Sequence, residues 1–136
     1  MNKIIHVAVG VIISSNEQYQ TQYFLTKRLK HTHQGGKWEF PGGKVEKDET
    51  VFQALARELK EEVAIEVLSC IPLTIIDYDY GDKQVCLEVF IVDNYTAEPN
   101  AQEGQEQGWF LLEDFKSLDF PKANQAIIAE LITRNS

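Results

Sequence analysis

The sequence is short of several things, and each shortage excludes a class of protein. It has two cysteines, Cys70 and Cys86, far apart and outside any C-x-x-C pair. Such a chain is not built on a disulfide framework or a cysteine-ligated metal. Both cysteines lie in apolar runs and are expected to be buried, reduced thiols. No apolar run approaches the roughly 18 to 20 residues of a membrane span. Low-complexity tracts, internal repeats and linkers are also missing, so disorder is not expected. A single domain over residues 1–136 is. Basic residues are scarce, with 13 Lys and Arg against 21 Asp and Glu and a net charge of −8. That balance argues against a nucleic-acid polymer as the partner.

What is present is enough for a full core. The chain has 136 residues, 43% of them hydrophobic and 25% charged, the usual proportions of one folded domain. Charge is unevenly spread. Residues 1–44 carry six Lys and Arg against two Asp and Glu, and residues 45–136 carry seven against nineteen. All three histidines fall in the first part. Chance and solvated faces are one explanation. The other places anion-binding groups before residue 45 and metal-binding groups after it.

Lys3 and the apolar stretch Ile4 to Ile13 have some features of a secretory signal. The stretch contains His6 and Gly10, lacks a small-x-small cleavage pattern and ends in the turn Ser14-Ser15-Asn16. It reads instead as a strand buried on both faces, over residues 3–13, in a cytoplasmic protein. A second strand is expected over 22–28. A loop follows over 29–37, where Gly35-Gly36 breaks any element. A short extended piece, Trp38 to Phe40, is halted by Pro41-Gly42-Gly43.

Thr50 and Gln53 have the spacing of a capping box, which predicts a helix from Val51 to about Val63 with Thr50 as N-cap. Residues 65–80 are expected to be mostly extended, with Pro72 marking a break or an edge. Gly81-Asp82 is a turn, and 84–92 is the return strand. Residues 93–108 read as a polar loop and 109–112 as a short strand. Asp119-Phe120-Pro121 opens a last helix, whose apolar face is Ala123, Ile127, Ile128 and Leu131.

The predicted helix over 51–63 carries the chemistry. At about 100° per residue, Glu62 lies about 40° to one side of Glu58, and Glu61 about 60° to the other. Phe52, Leu55, Leu59 and Val63 fall on the neighbouring stripe, at about 60° to 140°, and are expected to face the core. Ala54, at about 40° from Glu58 on the Glu61 side, leaves room beneath the carboxylates. Three like charges at this spacing repel each other, and they sit toward the wrong end of the helix dipole. A divalent cation would explain the choice, because Mg²⁺ prefers carboxylate oxygens. A solvated acidic face is the plainer reading of Glu-x-x-Glu-Glu alone. Upstream, Pro41-Gly42-Gly43-Lys44 forms a tight turn that lets backbone approach a ligand. Arg57, next to the acidic cluster and eight residues after Glu49, is expected to organise these carboxylates rather than to touch substrate.

Taken together, Gly43-x5-Glu49-x7-Arg57-Glu58-Leu59-x-Glu61-Glu62-x-Ala64-Ile65 resembles the Nudix box. Ala64 stands where that family usually has Gly, a difference that points to a position favouring positive φ. The segments Trp38 to Glu46, Glu103-Gly104-Gln105 and Phe120 to Asn124 are similar to the MutT branch, which removes oxidised guanine nucleotides such as 8-oxo-dGTP. The resemblance implies an α/β fold, with a mixed sheet between helices in an α/β/α sandwich. It implies Mg²⁺ (or Mn²⁺) held by Glu58, Glu61, Glu62, Glu103 and the Gly42 carbonyl. Glu58, Glu61 and Glu103 are the implied catalytic carboxylates, with Glu58 the first choice to orient or deprotonate water.

The same resemblance implies that Arg28 and His33 contact phosphate or sugar, that Phe40 lines the base pocket and that Asn124 reads the base edge. Pro41, Gly42, Gly43 and Lys44 would lie along the substrate. A guanidinium suits phosphate, and an amide suits a lactam edge. Each of Arg28, His33 and Asn124 has an ordinary surface role as its alternative. Tyr78 and Tyr80 are expected to pack in the core or at a rim, with stacking on a base as the alternative. The implied reaction splits a nucleoside triphosphate into monophosphate and pyrophosphate. The partner is then a small nucleotide, with no nucleic-acid polymer or membrane, and the chain a monomer or homodimer. Two alternatives stand: the same chemistry on CTP or another modified nucleotide, and a recognition module without activity.

Overall fold

A computed structural model of the chain describes residues 4–32 and 35–135. The centre is β1 (Ile4–Ser15), which is buried on both faces from Ala8 to Ile12. It can be buried on both sides because its residues are apolar in both alternating sets. It runs parallel to β6 (Gln84–Tyr95), with Ile4 opposite Gln84 and Ile12 opposite Val92. It is antiparallel to β4 (Gly42–Lys44) along its middle and to β2 (Thr21–Lys27) at its far end.

The strand order is β3, β2, β1, β6, β5, where β3 is Trp38–Glu39 and β5 is Val67–Asp79. A further strand, β7 (Gln107–Leu111), pairs with β2. β5 is thus an edge strand, and its register against β6 slips between Pro72 and Thr74. Pro72 has no N–H for a ladder, so an edge position suits it.

Two helices cover opposite faces of the mixed sheet, as expected. α1 (Val51–Val63) packs Ala54, Leu55, Leu59 and Val63 against Ala8, Ile12, Phe24, Phe90 and Val92. α2 (Lys122–Arg134) packs Ala123, Ile127, Ile128 and Leu131 on the other face, with Val9, Val11, Leu87 and Val89. Gly10 lets α1 approach closely, since a Cβ there would lie 2.8 Å from Leu59 Cδ1.

Some expectations need correction. Phe52 is 53% exposed, with its ring 4.9 Å from that of Phe90 between centroids. Burial along the helix begins only at Ala54, so this first-turn aromatic lies at the rim of the packed face. Cys70 and Cys86 are free but only half-buried: Cys70 lies on the edge strand β5, and Cys86 lies near the start of the interior strand β6, before its buried residues Leu87 and Val89 to Val92. Strands replace both ends of the expected 93–108 loop, since β6 continues to Tyr95 and β7 begins at Gln107. A six-residue 3-10 helix, Leu112–Ser117, follows β7, and Phe115 anchors it in the core. α2 begins at Lys122, with Pro121 as its N-cap.

Candidate active site

The two ends of α1 are built as the sequence indicates. Thr50 Oγ1 accepts from the Gln53 amide at 3.1 Å, and Gln53 Oε1 accepts from the Thr50 amide at 2.8 Å. At the other end Ala64 takes the left-handed conformation, φ 60° and ψ 38°. Its amide donates back to Lys60 O at 3.2 Å, and that of Ile65 to Leu59 O at 3.4 Å.

Arg57 gathers the acidic side chains. Its Nε donates to Glu49 Oε2 at 2.7 Å and its Nη2 to Glu49 Oε1 at 3.0 Å, a bidentate pair. Nη1 donates to Glu58 Oε1 at 2.8 Å and Glu61 Oε2 at 3.4 Å, while Nη2 also reaches the Lys44 carbonyl at 3.0 Å. The hydrogen bond from Arg57, helped by the Glu46 amide, pulls the Glu49 carboxyl down to about 2. In return, Glu49 and then Glu58 hold the guanidinium well above its usual range.

Glu62 is in the opposite situation. Its side chain is 9% exposed and accepts only a long bond, 3.4 Å, from the Gly42 amide. Burial pushes its carboxyl up to about 8, and the nearby negative groups Glu39, Glu58 and Glu103 add to the rise. The Gly42 amide opposes it.

The glycines opposite α1 are required by space. A Cβ on Gly43 would lie 2.2 Å from the Glu58 carboxyl carbon, and one on Gly42 would lie 2.1 Å from Ala8 O. Bonds from Gly10 N–H to Pro41 O (2.8 Å) and Val45 N–H to His6 O (2.9 Å) make those pairs the hydrogen-bonded ones. Antiparallel ladders alternate, so the intervening Val9–Gly42 pair is non-bonded. The amide and carbonyl of Gly42 therefore point off the ladder, on the side where Glu62 lies.

A cleft of about 360 Å³ opens beside this arrangement. Its apolar floor comes from alternate residues of β1 (Ile5, Val7, Val9) and β6 (Val85, Leu87). Of the residues singled out from sequence, Arg28, Phe40, Gly42, Gly43, Lys44, Glu62, Glu103 and Asn124 line it. Phe40 is only 3% exposed and stacks on Phe120 at 6.1 Å, so it forms part of the packed floor. Pro41 is buried under β1 and does not line the cleft. Glu58 lies behind Gly43, and Glu61 is 63% exposed on the outer side of Arg57. His33 lies outside the described residues.

Sequence reasoning passed over Glu39, Lys83 and Gln105 as cleft residues and favoured packing over base stacking for Tyr80. Glu39 Oε1 accepts from Arg28 Nη1 at 2.7 Å, and the Tyr80 oxygen accepts from the Ala123 amide at 3.0 Å. The period-two pattern of Ile5, Val7 and Val9 was a usable signal for the floor. Glu39 and Lys83 also cross the charge division at residue 45.

The donor set suits a hard divalent cation. It comprises carboxylate oxygens and a glycine carbonyl, with one buried carboxyl, Glu62, whose ionised form a bound cation would favour. Among the described residues no three His, Cys, Asp or Glu side chains already converge as a metal cluster. Glu58 is held instead by Arg57, at 2.8 Å, and Glu62 by the Gly42 amide, at 3.4 Å.

This fold and this box belong together. The NUDIX domain matches residues 4–131, and the chain is a member of that family, a Nudix hydrolase. Its relatives are more specific. It is 37% identical to the 8-oxo-dGTP diphosphatase of Escherichia coli K12, over 95% of this chain and 97% of that protein. It is 31% identical to the CTP pyrophosphohydrolase of the same organism, over 89% and 84% of the two chains. A solved structure from a study of MutT from Aliivibrio salmonicida and Vibrio cholerae superposes with a TM-score of 0.82 at 36% identity. That match covers 97% of this chain and 99% of the other. No helix among the described residues is long and apolar enough to cross a membrane.

Proposed function

We propose that this protein hydrolyses nucleoside triphosphates to monophosphate and pyrophosphate with Mg²⁺, and that oxidised guanine nucleotides such as 8-oxo-dGTP are its substrates. The observation that carries the reading is the position of Glu62. A carboxyl raised to about 8 by burial faces Gly42 in a cleft that also presents Arg28, Lys44 and Asn124. About 360 Å³ suits one small ligand.

Glu58, Glu61, Glu62 and Glu103, with the Gly42 carbonyl, would hold the cation. When bound, the ion supplies charge neutralisation on the diphosphate oxygens. The chain's own groups do the rest. Arg57 fixes Glu58 through Oε1, and Glu58 orients the attacking water and takes its proton. Arg28 and Lys44 grip the phosphate chain, and the apolar floor receives the base. Asn124, in the first turn of α2, offers both a donor and an acceptor to a lactam edge. Water oxygen joins the β-phosphorus and ends in pyrophosphate, while the bridging oxygen leaves with the monophosphate.

The diphosphatase relatives and Asn124 favour the oxidised purine over CTP. The test is kcat/KM for 8-oxo-dGTP, dGTP and CTP. The oxidised purine should be preferred, and Asn124→Ala should narrow that preference more than it slows turnover. No preference for 8-oxo-dGTP over dGTP would remove the substrate assignment.

A further inference from the structure

We propose that Glu39 is a positioning residue that aims the Arg28 guanidinium into the cleft and thereby sets how tightly the phosphate chain is gripped. This rests on the nucleotide reading above. Arg28 lies one residue past β2, and its amide donates to Lys37 O at 2.8 Å while its carbonyl accepts from Gly36 N–H at 3.0 Å. In the β2–β3 ladder Thr26 faces Glu39 and Lys27 faces Trp38. Arg28 and Glu39 are therefore diagonal neighbours on one face, close enough for long side chains to meet. They meet at 2.7 Å, with side chains 29% and 23% exposed, and both line the cleft.

A lone carboxylate facing a polyphosphate would repel it. Glu39 is tolerable there because it is paired with Arg28 at 2.7 Å, and it serves Arg28 in return. Glu62 and Glu103 line the same cleft and offer competing carboxylates to a mobile guanidinium. Glu39 anchors Arg28 at the β2–β3 ladder, so the guanidinium is already oriented when the nucleotide arrives.

A double-mutant cycle tests this. Wild type, Glu39→Gln, Arg28→Ala and the double variant are compared for kcat and KM on 8-oxo-dGTP with saturating Mg²⁺. In the wild-type background Glu39→Gln should raise KM about tenfold with kcat nearly unchanged. In the Arg28→Ala background the same change should alter KM by less than about twofold. An equal KM rise in both backgrounds overturns the proposal, because Glu39 would then act on its own. A fall in kcat at constant KM overturns it too. If Glu39→Gln does not fold, Glu39→Asp, which shortens the reach, goes through the same cycle under the same criteria. A wild type inert toward all nucleotides would overturn the nucleotide reading and this inference with it. An active wild type with additive variants overturns this inference alone.

Discussion

At the scale of single residues, the site depends on what is missing at position 43. The Glu58 carboxylate occupies the space that a Gly43 side chain would take, at 2.2 Å from the ideal Cβ. Gly43→Ala therefore displaces the far end of a flexible side chain and little else. The expected outcome is a loss of about ten- to a hundredfold in kcat, with the melting temperature nearly held. Kinetics and a thermal melt on one preparation check both halves. A stable variant with full turnover would remove Glu58 from the proposed mechanism.

Residue roles were legible in the sequence where they depend on local spacing. Glu58, Glu61, Glu62 and Arg57 share one helix, so a projection at about 100° per residue already places them. Glu39 was not legible, because its partner Arg28 lies one residue past β2 and is brought to it by the pairing of β2 with β3. The burial of Phe40 against Phe115 and Phe120 also depends on elements far along the chain.

At the scale of elements, α1 carries a flaw at its end. Ala64 holds φ 60°, a left-handed conformation that costs a residue with a Cβ about 1 kcal/mol relative to Gly. Ala64→Gly should stabilise the protein by about 0.5–1 kcal/mol, a rise of a few degrees in Tm. Ala64 is exposed and touches no proposed ligand, so turnover should stay unchanged. A lower Tm would show that the helix end is not strained. The start of α1 was legible because a capping box is a pattern within four residues. Where along α1 burial begins was not: Phe52 lies on the apolar stripe by angle but ahead of Ala54, the first buried residue. The 3-10 helix Leu112–Ser117 was missed because so short a piece has no period of its own.

At the scale of the whole molecule, stability and function pull against each other through Glu62. An ordinary Glu titrates at 4.5, and in the folded protein Glu62 titrates at about 8. Between those values the metal-free folded state keeps a proton that the unfolded chain has released, so raising the pH removes stability. The Glu62 contribution is complete below about 4.5 and lost as pH passes about 8. Glu49 works in the other direction. Its carboxyl falls to about 2, so its contribution is present above about 4.5 and lost as pH falls through about 2. The metal-free Tm should thus decline from about pH 5 to 8, and Glu62→Gln should flatten that decline. Saturating Mg²⁺ should raise the wild-type Tm more at the alkaline end, because the cation displaces the proton. Equal slopes for wild type and Glu62→Gln would contradict the burial argument.

The layered fold was legible from the order of strands and helices, together with the doubly apolar Ile4–Ile13 stretch. Strand order across the sheet was not, since the parallel β1–β6 pairing joins residues about 80 positions apart.

The most direct test of the central claim is pyrophosphate release from 8-oxo-dGTP by wild type and Glu62→Gln, each with and without Mg²⁺. Wild type should release pyrophosphate only with the metal, and Glu62→Gln should lose about a hundredfold or more of that rate while remaining folded. A folded Glu62→Gln that matches wild type, or a wild type equally active in a metal chelator, would contradict the assignment of this cleft as a metal-dependent diphosphate hydrolase.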